Sequence, residues 1–190
     1  MNLPNKLSLL RIIFVPIMVA VFYMDFIPFN YLIAAAIFAI ASLTDFLDGY
    51  IARKYNLITD LGKFLDSIAD KVLVLTAFTI LLSVPEILQG SFGDLFYKLA
   101  GGIGVSIIVA REIIVCFLRM VASSKGKVLA AENVGKIKTF VTDFAIILLL
   151  CSAHFDVFYI AGAVFFIISV ILTLYSGIYY LVKNWGVFKW

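Results

Sequence analysis

Six apolar stretches, each about long enough to cross a bilayer, constrain this chain more than any other feature. They run over roughly 7–24, 30–52, 64–84, 99–122, 134–153 and 157–182. At a rise of about 1.5 Å per residue, about 20 apolar residues cover a hydrocarbon core about 30 Å thick. In water a chain of 190 residues could not hide this much apolar surface: 64% of the residues are hydrophobic and only 14% are charged. The mean hydropathy of +1.10 lies outside the soluble range. Backbone polar groups inside lipid must be satisfied within the segment, so stretches of this length predict helices. The expectation is an all-α integral membrane protein with six transmembrane helices.

The net charge of +3 says little, but its distribution says more. The segments joining spans one to two, three to four and five to six hold one basic residue, Lys98. The other side collects Lys6, Arg11, Arg53, Lys54, Lys63, Lys71, Arg119, Lys125, Lys127, Lys136, Lys138, Lys183 and Lys189. Basic residues are retained on the cytoplasmic side, which predicts both termini in the cytoplasm. No linker or polar block divides the chain, so residues 1–190 are expected to form a single membrane domain. The opening "MNLPNKLSLLR" predicts a short interfacial helix ahead of span one. It continues apolar without a small-residue cleavage site, unlike a removable signal. The outer connection "LSVPEILQGSFGDLFYK" is expected along the headgroups, and Cys116 and Cys151 as packed thiols. His154, in a short outer turn, is assigned no role, and no nucleic-acid partner is expected.

Against this background the stretch "TDFLDGYIARKYNLITDLGKFLDSIAD" is anomalous. Asp45 and Asp48 are three apart and Asp66 and Asp70 four apart, so each pair shares a helix face. One pair ends span two and the other begins span three, across a short turn, so four carboxylates can converge at one depth. An aspartate well inside a span costs about 3 kcal/mol, and mutual repulsion adds to this. A counter-charge is therefore required, and three kinds fit. Arg53 and Lys71 could form a structural ion-pair network, or the carboxylates could line a proton or sodium pathway. Alternatively, they could hold a pair of hard divalent cations, Mg²⁺ or Mn²⁺, whose remaining ligands are substrate phosphates. Gly49 and Ala52, each one turn beyond an aspartate, leave the adjoining face bare for either helix packing or a ligand.

Residues Asp45, Asp48, Gly49, Ala52, Arg53, Gly62, Asp66 and Asp70 spell D-x2-D-G-x2-A-R-x8-G-x3-D-x3-D. This pattern resembles, at every position, the signature of the CDP-alcohol phosphatidyltransferase family, whose fold is also a six-helix membrane bundle. The resemblance implies that a CDP-linked lipid, CDP-diacylglycerol, donates its phosphatidyl group to an alcohol with CMP leaving. It also implies two divalent ions held by Asp45, Asp48, Asp66 and Asp70, and Asp70 acting as the base on the acceptor hydroxyl. Gly49, Ala52, Arg53 and Gly62 would then border the CDP-diacylglycerol, and a homodimer is the implied assembly.

The acceptor must be read elsewhere. Arg111, Glu112 and Arg119 interrupt the fourth span, and Lys136 and Lys138 open the fifth. Basic side chains at the depth of the aspartates suit an acceptor that itself carries phosphate. Arg119, nearer the cytoplasmic end, is expected to lead, and Arg111 to look for partners on other helices. The strings "NLPNKLSLLRI", "REII" and "GKIKT" resemble the branch of the family that uses glycerol 3-phosphate, with inositol phosphate as the alternative acceptor. Asp143, within the fifth span, is expected either to pair with a basic residue or to face a polar cavity.

Overall fold

The computed structural model describes residues 3–55, 59–124 and 133–185, with the side chains of Leu3, Pro4, Ala52, Arg53, Asp60, Leu61, Lys63, Ser91, Ser124 and Asn133 outside that description. Lys125, Lys127 and Lys189 also fall outside the described residues. Every regular element among the described residues is helical. The long ones are α1 (Leu3–Phe22), α2 (Asn30–Lys54), α3 (Asp60–Ser83), α6 (Val105–Ser124), α7 (Asn133–Ser152) and α8 (Val157–Lys183). Two short helices, α4 (Pro85–Gln89) and α5 (Gly93–Phe96), precede a π-helical segment, Tyr97–Gly104, that runs directly into α6. The six expected spans therefore all coincide with helix.

Three helical stretches, Asn5–Phe22, Asn30–Ile51 and Val157–Lys183, are long and apolar enough to cross a bilayer by themselves. Helices α3, α6 and α7 carry many of the charged residues that the sequence singled out, among them Asp66, Asp70, Arg111, Glu112, Lys138 and Asp143, while Asp45 and Asp48 lie on α2. Their charge reflects what they face, because much of it points at other helices rather than at lipid.

The N-terminal segment departs from expectation. It is no separate interfacial helix, for residues from Leu3 onward are the first turns of a continuous α1. The reason is visible in its polar residues. Asn5, Ser8 and Arg11 are buried against α2 and α3, and so their burial ties these turns to the bundle and not to the headgroups.

Helix α1 turns back into α2 through a short loop that Asn30 secures. Its Nδ2 donates to the carbonyl of Phe22 at 2.8 Å, and its Oδ1 accepts from the N–H of Tyr31 at 3.0 Å. The first bond satisfies one of the carbonyls that a helix end leaves unpaired. Helix α1 packs on α2 and α3, α2 packs on α7, and α8 packs on α6 and α7. Ala34, Ala35, Ala41, Ala69 and Ala77 are fully or almost fully buried at these crossings, and their small side chains let the backbones approach. Phe22, Phe38, Phe78 and Phe166 fill the spaces between. Phe46, Phe117, Phe140 and Ile178 point outward, as lipid-facing side chains should.

The connection between α3 and α6 packs part of its apolar surface against the bundle. Ile87 and Leu88 are buried, and the Tyr159 hydroxyl of α8 lies 2.9 Å from the carbonyls of Leu88 and Gln89. Cys116 and Cys151 are free, half-buried thiols. His154 packs its ring against Phe29 and Tyr31, with centroids 5.4 Å away in each case.

Candidate active site

The turn between α2 and α3 sets the site. Thr59 is the N-cap of α3, its Oγ1 accepting from the N–H of Gly62 at 3.0 Å. The same hydroxyl lies 3.3 Å from the side-chain amide of Asn5, which ties the start of α3 to α1. A Cβ on Gly62 would come within 2.4 Å of Asn5 Oδ1 and 2.9 Å of Thr59 Oγ1. Within the signature, Gly62 thus serves the close approach of α1 to α3, and the structure gives it this packing role.

This arrangement brings together Asp45 and Asp48 from α2 and Asp66 from α3. Each offers a carboxylate oxygen, and all three oxygens lie within 4.8 Å of one another. Oxygens so spaced can share one hard cation, and no His or Cys joins the group. Asp48 is buried, whereas Asp45 and Asp66 are partly open, with 38% and 48% of their side chains exposed. The cluster therefore has a closed back and an accessible front. Asp70 stands one turn beyond Asp66, outside this group of three. It lies within electrostatic reach of Lys71, Glu112, Lys138 and Arg11. Gly49 is half-buried beside the cluster, while the side chains of Ala52 and Arg53 lie outside the described ones.

Among the described side chains a cation does meet these carboxylates from within the chain, and it is not Lys71. Arg11 of α1 is fully buried among them. Its Nη1 lies 2.7 Å from Asp45 Oδ1 and 3.3 Å from Asp66 Oδ1, and its Nη2 lies 2.7 Å from Asp48 Oδ2. Its Nε donates to the Ala41 carbonyl at 3.3 Å, and Ser8 Oγ donates to Asp48 Oδ2 at 3.2 Å. Lys71 instead contacts Ser67, with its Nζ 3.3 Å from both the carbonyl and the hydroxyl. In the sequence Arg11 reads as one of several flanking basic residues. Its only distinguishing sign is a helical spacing of three from Ser8 and six from Asn5, a polar stripe on an apolar helix.

The basic residues proposed for the acceptor divide into two groups. Arg111 Nη1 and Lys138 Nζ both contact Glu112 Oε1, at 2.9 Å for Arg111. Arg111 Nη2 also donates to Ser176 of α8 at 3.2 Å, so Arg111 has partners both beside it and across the bundle. Gly177 makes room for this, since a Cβ there would meet Arg111 Cγ at 3.0 Å. Arg111 Nε is buried with no hydrogen-bond partner among the described residues. Arg119 is engaged elsewhere: its Nε donates to the Tyr180 hydroxyl at 3.1 Å, and its guanidinium sits 5.5 Å from that ring's centroid. Lys136 is exposed. Arg111 and Lys138, rather than Arg119, accompany the residues around Asp70, because Glu112 draws both of them inward. Asp143 accepts from Ser42 of α2 at 2.5 Å through Oδ2. Its Oδ1 is buried without a partner among the described residues.

Three carboxylates of the signature read from the sequence, Asp45 and Asp48 from one helix and Asp66 from the next, thus meet in the fold. Residues 1–175 fit the family model described as CDP-alcohol phosphatidyltransferase, and the chain belongs to that family. A Bacillus subtilis (strain 168) protein named CDP-diacylglycerol–glycerol-3-phosphate 3-phosphatidyltransferase is 39% identical, covering 99% of this chain and 97% of its own. Proteins of the same name from Rickettsia bellii and Salmonella choleraesuis are 36% and 35% identical, over 94% and 95% of this chain and 93% of theirs.

The Gly62 contact carries a direct test. Gly62→Ala is expected to destabilise the protein by about 1–3 kcal/mol through overpacking against α1. Adding Asn5→Ala should recover part of that loss, a non-additivity that thermal unfolding of the two single variants and the double variant will reveal.

Proposed function

We propose that the chain transfers the phosphatidyl group of CDP-diacylglycerol to glycerol 3-phosphate, producing phosphatidylglycerophosphate and CMP in phospholipid synthesis. The observation that carries this is the meeting of Asp45, Asp48 and Asp66 from two helices, with Asp70 next to them and the Arg111–Glu112–Lys138 group beyond. The full-length likeness to proteins named for this reaction supports it.

Asp45, Asp48, Asp66 and Asp70 would hold two divalent cations, Mg²⁺ or Mn²⁺, a choice supported by an all-oxygen donor set. When bound, such ions supply charge neutralisation at the pyrophosphate of the donor and at the departing CMP phosphate. The rest falls to the protein. Asp70, between the carboxylate group and the basic group, is suited to take the proton of the acceptor hydroxyl. The hydroxyl oxygen forms its bond to the phosphorus of the phosphatidyl group, the bond from that phosphorus to the CMP oxygen breaks, and CMP leaves. Gly49, Ala52, Arg53 and Gly62 would border the donor, with Gly62 acting through the α1–α3 contact.

Arg111 and Lys138 are the favoured acceptor-phosphate residues, with Arg119 and Lys136 behind them. The orphan Nε of Arg111 supports this order, since a buried donor without a partner is a ready contact for an incoming anion. Six membrane crossings, cytoplasmic termini and a site opening to the cytoplasm complete the proposal, supported by the one-sided distribution of basic residues. A homodimer belongs to it on the resemblance alone.

Purified protein with labelled CDP-diacylglycerol should release CMP with glycerol 3-phosphate and only poorly with glycerol, and chelation of divalent metal should abolish the release. Preference for inositol phosphate would instead assign the chain to that acceptor. Ion flux in proteoliposomes without CMP formation would indicate a transporter.

Asp70→Asn is expected to lose turnover far more than donor binding, because the amide keeps the shape but cannot accept a proton. Turnover and CDP-diacylglycerol affinity measured at saturating metal separate the two effects.

Lys138→Ala should raise the KM for glycerol 3-phosphate about tenfold or more, the loss of one charged hydrogen bond worth about 1.5–3 kcal/mol. The KM for CDP-diacylglycerol should change little, and Arg119→Ala should affect the acceptor less than Lys138→Ala does.

A further inference from the structure

The position of Arg11 goes beyond the transfer reaction. Its Nη1 stands between Asp45 Oδ1 and Asp66 Oδ1, at 2.7 and 3.3 Å, on the open side of the cluster. Divalent ions of the Mg²⁺ type need carboxylate oxygens at about 2.0–2.1 Å. A guanidinium nitrogen and such an ion cannot both occupy the space between those two oxygens, and their charges repel. The remaining contacts of Arg11 lie on the closed side: Nη2 with Asp48 at 2.7 Å and Nε with the Ala41 carbonyl at 3.3 Å. Asp48 is steadied there by Ser8. The side chain thus has one prong on the accessible carboxylates and a firm hold behind them.

We propose that Arg11 competes with the divalent cation for Asp45 and Asp66. It neutralises the site when metal is absent, withdraws to Asp48 and Ala41 when metal binds, and so sets the affinity of the site. This rests on the proposal that the carboxylates bind metal. It assigns to α1, which contributes nothing to the aspartate signature, control over how much free cation the enzyme needs. The alternative role for a buried arginine is a permanent strut that shapes the carboxylates for the metal, and the two make opposite predictions. Removing a competitor tightens metal binding, whereas removing a strut weakens it.

The test is a Mn²⁺ titration of the purified full-length chain in detergent, without substrate, followed by electron paramagnetic resonance of the free ion. Arg11→Gln should bind Mn²⁺ at least about tenfold tighter than the unmutated chain, since a positive charge about 4 Å from the ion is gone. Arg11→Lys, which keeps the charge but has no fork to hold Asp48 while spanning the other two, should fall between them. Thermal unfolding adds an independent readout: chelator should lower the Tm of Arg11→Gln far more than that of the unmutated chain, and Mn²⁺ should restore it. Unchanged or weaker Mn²⁺ binding in the variants would overturn the competition, and Arg11→Lys decides this even if Arg11→Gln does not fold. If the unmutated chain itself bound no Mn²⁺, the metal-site proposal would fall, and this one with it.

Discussion

The contact on which this bundle depends is that of one buried guanidinium with three carboxylates from two other helices. Moving an ion from water into a protein interior costs several kcal/mol even after relaxation. That cost is recovered only where geometry and hydrogen bonding are good. Arg11 meets the requirement with contacts to Asp45, Asp48 and Asp66 and a further bond to a backbone carbonyl. The arrangement fixes the depth of α1 against α2 and α3, and the Asn5–Thr59–Gly62 contact fixes its rotation at the same end. At the opposite end of α1, Asn30 closes the turn into α2. The hairpin is held at both ends by polar contacts, and alanines and phenylalanines pack between them.

The helices divide by what they face. Helices α1, α2 and α8 are apolar enough to meet lipid along most of their length, whereas α3, α6 and α7 bring in most of the charge. Glu112 is the counterpart of Arg11 in the second half of the bundle, a carboxylate gathering two cations where Arg11 gathers three carboxylates. Asp70 stands near both groups, so the proposed base, the carboxylate cluster and the candidate acceptor residues follow from one packing arrangement.

Much of this was legible in the sequence. Helix lengths followed from apolar run lengths, because lipid permits little besides helix. The aspartates declared themselves because carboxylates at helical spacing are costly in apolar runs. Arg11 did not, since a basic residue near a span end is ordinary under the positive-inside pattern. Only the fold shows that it points inward, which is also why the expected interfacial helix is the start of α1. Gly62 was legible as part of a motif but not as a packing residue, for its neighbour Asn5 is distant in the chain. The order proposed for Arg111, Lys138 and Arg119 rests on which of them Glu112 and Tyr180 engage. Spacing along a helix does not reveal that.

The chain order of these groups has a consequence for biogenesis. Arg11 lies in α1, which leaves the ribosome before α2 with its Asp45 and Asp48. When α2 enters the bilayer, a cation is already waiting at the depth its two carboxylates will reach. The α1–α2 hairpin can therefore be inserted as a charge-compensated unit before α3 delivers Asp66. A circular permutant that moved α1 to the end of the chain would preserve every contact of the finished fold, yet it would present α2 to the insertion machinery with two carboxylates and no partner.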